Sequence, residues 1–260
     1  ELTTLATMLG RRLGEMHTAL ATPTDDPDFS PQQVTKEDAK AWATGTRRQV
    51  EAAVEALQRK VEWSTVEEQD RITRLIGQRA QLLEKIDALA AAAVGTLSIR
   101  VHGDFHLGQV LVAQGDVYIV DFEGEPAKPL EQRREKTSPL RDVAGLLRSL
   151  DYAAAFASLH GPGDLSEAEE LRKQHILRNF VPRSQSTFLS AYREAAHAGP
   201  LAISEEAERS LLNLFLLEKS AYEVCYEADN RPDWISVPAN GMANIAAQLL
   251  DMPQGVTSNE

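Results

Sequence analysis

Asp104 and Asp121 are the carboxylates whose surroundings in this sequence suit chemistry. Asp104 lies in Val101-His102-Gly103-Asp104-Phe105-His106-Leu107-Gly108-Gln109, and Asp121 opens Asp121-Phe122-Glu123-Gly124-Glu125-Pro126. Between them, the apolar runs Val110-Leu111-Val112 and Val117-Tyr118-Ile119-Val120 flank Gln114-Gly115-Asp116, which is turn chemistry. The pattern predicts a β-hairpin with its turn near Gly115. Gln109 and Asp121 then lie opposite each other at the open end, and Asp104 sits on the loop entering that end. One loop carboxylate, one amide and a second carboxylate converge, which suits a general base beside a metal clamp for phosphoryl transfer.

The elements that must position these residues are mostly helical. Leu5, Leu9, Leu13 and Met16 predict an amphipathic helix over 2–20, with His17 near its apolar face as a satisfied core histidine. Pro23, Pro27 and Pro31 make 21–34 a loop. A long helix over 36–60 follows, capped by Thr35 and burying Trp42, Val50, Val54 and Leu57. Another runs over 66–93, with Ser64 as its cap. A short strand over 97–101 feeds the Asp104 loop. Pro129 interrupts the charged stretch 128–136. A helix over 143–159 follows, with Asp142 as its cap. His160 to Asp164 is a loop, and 166–196 is one or two helices with Pro182 marking the break. Ser204 starts the most apolar helix, whose Leu211, Leu212, Leu214, Phe215, Leu216 and Leu217 place it centrally. Polar residues then interrupt it: Glu218, Tyr222 and Tyr226 share one face, and Lys219 and Glu223 another. They read as the wall of a polar pocket, because charges on a buried helix need partners or water. Arg231-Pro232-Asp233-Trp234 is a loop, a final helix spans 240–250, and the last residues fray.

The fold class expected is α+β, mainly helical, with 1–97 a helical subdomain and 98–260 the catalytic one. The 260 residues carry a formal net charge of −12, which makes the chain a poor non-specific binder of nucleic acid or anionic membrane. Its apolar runs are too short to span a bilayer, and no basic-then-apolar leader is visible. The single cysteine, Cys225, excludes an internal disulfide and fits a reducing cytoplasm. No Gly-rich nucleotide loop is visible, and the chain opens on Glu1 inside an expected helix, as a segment of a longer protein would.

The His-x-Asp block, the amide five residues after Asp104 and the Asp beyond a strand pair together resemble the kinase-like phosphotransferases, the superfamily of aminoglycoside phosphotransferases and eukaryotic-type kinases. More narrowly, His102 to Leu111, Asp121 to Pro126 and Ser138 to Ala154 resemble the HGD…HLGQVL, DFEGEP and SPLRDVAG…DYAA blocks of maltokinases. Leu9-Gly10-Arg11 with Glu15-Met16-His17, Glu218-Lys219 with Tyr222-Glu223, and Arg231 to Trp234 are weaker matches. The resemblance implies a protein-kinase-like C-terminal lobe, with Asp104 as catalytic base and Gln109 and Asp121 as magnesium ligands that hold the ATP phosphates. Glu123 becomes a further metal ligand, and His102 joins the cofactor-side loop chiefly as its brace. His106 becomes a catalytic residue that touches substrate. Glu125, Glu218, Lys219, Tyr222, Glu223, Tyr226 and Trp234 become sugar contacts. The implied reaction is ATP plus maltose giving maltose 1-phosphate, in the cytoplasm and feeding glycogen-type glucan synthesis. The N-terminal ATP lobe is missing, so the implied partners are that lobe and a trehalose synthase domain in the same polypeptide. Without the lobe, slow turnover is expected. The competing readings are a kinase of another sugar such as glucosamine, and a non-catalytic kinase-like interaction module.

Overall fold

The computed structural model describes residues 2–60, 62–126, 128–159 and 165–251. These residues are mainly helical, with two small antiparallel sheets. They form two contact units, one of Glu1–Thr35 with Ala93–Glu208 and the other of Lys36–Ala92 with Arg209–Glu260. The first unit joins the first helix to an element far along the chain.

In the first unit α1 (Leu2–Leu20) lies along α7 (Glu167–Ala196). The two backbones approach closely: a Cβ on Gly10 would sit 2.2 Å from the Phe188 carbonyl oxygen, and one on Gly14 would sit 2.7 Å from Ala195 Cβ. Helix α7 runs unbroken through Pro182, against expectation. Proline removes one backbone donor, but Ser166 and Glu169 close a capping box at the start and Phe188, Ala191 and Tyr192 are buried beyond it. Helix α6 (Leu140–Leu159) also packs on α7 and starts three residues before the expected point. Strands β1 (Gln32–Gln33) and β2 (Leu97–Ser98) pair, and Ile99 bridges to Thr137, so the expected strand over 97–101 is shorter. Lys136 Nζ donates to the Pro27 and Ser30 carbonyls at 2.6 and 2.8 Å, tying down the proline-rich loop. Strands β3 (Val110–Ala113) and β4 (Asp116–Ile119) form the expected hairpin, and the short α5 (Leu130–Arg133) follows Pro129.

In the second unit α2 (Lys36–Arg59) packs on α4 (Arg79–Ala91), and both α4 and α3 (Val66–Gly77) meet α9 (Ser236–Asp251). The expected continuous helix over 66–93 is two helices, divided at Gln78, whose φ of −90° and ψ of 5° leave the helical region. Thr65 rather than Ser64 caps α3, its side chain accepting from the Glu68 N–H; the Ser64 N–H instead donates to the Glu68 carboxylate at 3.1 Å. Helix α8 (Glu205–Asn230) starts after Ser204, as its apolar run predicts, and Leu211, Leu214, Phe215 and Leu217 are buried. Trp42, expected in the core, is half-buried, with its ring centre 5.6 Å from that of Phe215 in an edge-on arrangement. A 3-10 turn, Pro232–Trp234, joins α8 to α9, which begins four residues earlier than expected. The His160 to Asp164 loop and the tail beyond Asp251 lie outside the described residues. Among the described residues no helix is long and apolar enough to cross a membrane.

Candidate active site

The hairpin brings Gln109 and Asp121 together. Val110 pairs with Ile119 and Ala113 with Asp116, so the turn is the two residues Gln114-Gly115, both with positive φ. Asp116 is therefore strand rather than turn, and Gln109 faces Val120, one step from the expected register; the Val120 N–H donates to the Gln109 carbonyl at 3.0 Å. The Gln109 side chain reaches across that step, and its Nε2 donates to Asp121 Oδ2 at 3.1 Å. Asp121 has φ +67°, the left-handed region that disfavours a side chain. The far end of the hairpin is anchored by Arg12 of α1, which makes a bidentate pair with Asp116 and also bonds Glu15. The Arg12 guanidinium, with the Val117 N–H, lowers the Asp116 carboxyl to about 2.

The Asp104 loop is held by one imidazole and one helix. His102 Nδ1 accepts from the Asp104 N–H at 3.3 Å, and its Nε2 lies 2.8 Å from the carbonyl of Val120, the residue before Asp121. One ring thus joins the backbones that carry both carboxylates. His102 is 1% exposed and both its nitrogens are engaged. Its ring thus joins the Asp104 loop to the strand end at Val120. Behind the loop, Asp142 of α6 accepts from the His102 N–H at 2.8 Å and from the Gly103 N–H at 3.0 Å. Asp142 is the third residue of α6, so it clamps the loop instead of capping the helix. Three residues on, Gly145 lets the Phe105 carbonyl approach, since a Cβ there would lie 2.5 Å from that oxygen. Four further on, Ser149 Oγ accepts the Leu107 N–H at 2.9 Å. Positions 142, 145 and 149 share one helix face, so α6 holds successive loop residues like the teeth of a comb. His17 fills the space behind Asp142, with Nε2 3.0 Å from Asp142 Oδ2 and Nδ1 3.0 Å from the Tyr192 hydroxyl. It is a buried, satisfied histidine, as expected.

Sequence reasoning missed Asp142, Gly145 and Ser149 as loop supports. The signal was present as an Asp-x-x-Gly-x-x-x-Ser spacing of helical period.

The other expected residues are placed as follows. His106 Nδ1 accepts the Gly108 N–H at 3.0 Å, closing the 3-10 turn Leu107–Gln109 that delivers Gln109. Glu123 is exposed, whereas Glu125 is nearly buried and pairs with Lys128 at 2.7 Å. Among the described residues no three His, Cys, Asp or Glu side chains group as a metal cage. One carboxylate with a neighbouring amide oxygen still fits magnesium, which keeps water and phosphate oxygens in its shell and needs few protein ligands.

In the second unit, α8 and the turn after it carry a ladder of cations and rings. Lys219 Nζ lies 5.1 Å from the Tyr222 ring centre, and Tyr222 stacks on Tyr226 at 6.3 Å. Arg231 then covers Tyr226 at 5.5 Å and Trp234 at 5.8 Å. Glu218 is half-buried and Glu223 buried. Glu227, absent from the expected set, is 1% exposed and pairs with Arg231 at 2.7 Å. Its signal was the Glu223, Glu227, Arg231 repeat at four-residue spacing.

The chain is similar to known proteins in sequence and in fold. The model of the phosphotransferase enzyme family matches residues 1–151. A glucosamine kinase from Streptacidiphilus jiangxiensis is 29% identical over 245 residues, covering 94% of this chain and 50% of the relative. One from Mycolicibacterium smegmatis is 26% identical over 236 residues, covering 89% and 51%. A solved glucosamine kinase in complex with glucosamine, ADP and inorganic phosphate superposes with a TM-score of 0.72 at 28% identity, covering 92% of this chain and 51% of that one. The chain spans about half the length of the curated relatives it matches. These relatives are glucosamine kinases rather than maltokinases, which does not support the narrower resemblance, and none of them bears on a trehalose synthase fusion.

Proposed function

Since the chain belongs to the phosphotransferase enzyme family, we propose that it carries the acceptor-activating and metal-binding half of an ATP-dependent sugar kinase whose acceptor is glucosamine. The observation that carries this reading is the His102 brace, which ties the Asp104 loop to the strand end where Asp121 meets Gln109. Asp104 accepts the proton of the attacking sugar hydroxyl as its oxygen bonds to the γ-phosphorus and ADP leaves. Gln109 and Asp121 would hold magnesium, which supplies charge neutralisation at the phosphate oxygens. The protein's own contribution is positioning, and the comb on α6 provides it.

The amino-sugar acceptor is favoured over maltose by the glucosamine kinases among the relatives. Glu218, Lys219, Tyr222, Glu223, Tyr226 and Trp234 are the proposed sugar contacts, the rings serving as platforms. Glu125, turned towards Lys128, holds its own loop.

The test is ADP release from ATP and magnesium with glucosamine, maltose, glucose or trehalose, using Asp104→Asn as the blank. Glucosamine is expected to give the fastest release, and the blank is expected to fall about 10²- to 10⁴-fold below wild type. Equal release by the blank sinks the assignment of Asp104, and a preference for maltose sinks the acceptor. Calorimetric titration of glucosamine into wild type and blank reads acceptor binding apart from turnover.

A further inference from the structure

We propose that Tyr192, on α7, is a positioning residue for the Asp104 loop, acting through the ring of His17. The inference rests on the reading of that loop as catalytic. Two N–H groups and one ring nitrogen converge on the Asp142 carboxylate: the N–H groups of His102 and Gly103 at 2.8 and 3.0 Å, and His17 Nε2 at 3.0 Å. Asp142 is an acceptor in each contact, so His17 must present a proton on Nε2. A neutral imidazole with its proton on Nε2 has a bare lone pair on Nδ1. In a side chain with no exposed surface that lone pair needs a donor. The Tyr192 hydroxyl, 3.0 Å away, is that donor. Burial, and then the charges of Asp142 and Glu208, push the Tyr192 phenol well above its ordinary range, so it stays protonated.

The consequence is a directed chain of hydrogen bonds. The Tyr192 hydroxyl donates to His17 Nδ1, His17 Nε2 donates to Asp142, and Asp142 receives the two backbone N–H groups that lead into Asp104. The other tautomer would aim the Nε2 lone pair at the carboxylate. Asp142 would then turn away from one of its loop contacts, and the loop would loosen at the two residues before Asp104. Tyr192 is nearly fully buried, so it acts through its hydrogen-bonded partner.

Tyr192→Phe removes the donor and keeps the ring. In nitrogen-15-labelled wild-type protein, His17 is expected to show a single Nε2-protonated tautomer. In the variant its ring signals are expected to shift towards a mixture, and amide hydrogen exchange at His102 and Gly103 to rise by about five- to tenfold, the equivalent of one neutral hydrogen bond. The variant should also lower kcat while leaving the sugar KM unchanged. Wild-type ring signals and unchanged exchange in the variant would overturn the proposal. If Tyr192→Phe does not fold, 3-fluorotyrosine at 192 keeps the ring and strengthens the donor. The His17, His102 and Gly103 signals must then move together, and their standing still refutes the relay. Nitrogen and amide signals read the relay, whereas ADP release reads the assignment of Asp104, so the two ideas fail separately.

Discussion

Asp142 is a single side chain on which the geometry of a whole loop depends. It takes two backbone N–H groups and an imidazole N–H at a site that is 2% exposed. Asp142→Ala strands all three donors, and the expected loss is about 3 kcal/mol, read as a lower urea midpoint with an unchanged slope. Local reading assigned Asp142 to a helix cap because a carboxylate ahead of an apolar run normally serves the nearest free N–H groups. Its backbone partners lie about forty residues earlier and His17 lies 125 residues earlier, and no local rule reaches them. His17 was legible for the opposite reason, since a histidine on an apolar helical stripe is most often a buried, bonded one. Glu227 directly follows Tyr226 and lies one turn past Glu223, yet it escaped notice because only its pairing with Arg231 reveals it.

At the scale of elements, the hairpin was readable and its register was off by one. A two-residue turn with both φ values positive takes Gln114 and Gly115 alone, which frees Asp116 to pair with Arg12. The helices were legible where their apolar stripes are long, as in α1, α2 and α8. They were misread where a backbone event intervenes. Gln78 divides a stripe that is continuous in sequence, and Pro182 fails to divide α7 because α1 grips the turns beyond it. The contact between α6 and the loop gives a sharp test. Gly145→Ala would put a methyl 2.5 Å from the Phe105 carbonyl oxygen, a backbone atom with little freedom to yield. The expected penalty is about 2 kcal/mol despite the better helix propensity of alanine, read as a lower melting temperature. A rise in melting temperature would mean that the loop is not seated on α6.

For the whole molecule, an acidic balance of −12 makes acid stability a question of which carboxylates are held ionised. Asp116 is one, lowered from 3.8 to about 2, first by Arg12 and then by the Val117 N–H. A depressed folded-state value means that the contribution is complete above 3.8 and fades as the pH falls towards 2. Asp116→Asn should therefore differ from wild type by a constant amount at neutral pH, and the two unfolding curves should converge only in that acid window. A difference that persists below it would assign the effect to something other than this ion pair. The left-handed backbone at Asp121 has a further outcome. Glycine adopts that conformation freely, so Asp121→Gly should be about 1 kcal/mol more stable than Asp121→Ala while losing the same carboxylate. A library sorted on heat resistance alone would then collect inert proteins at this position, and durability and turnover would pull evolution of this corner in opposite directions.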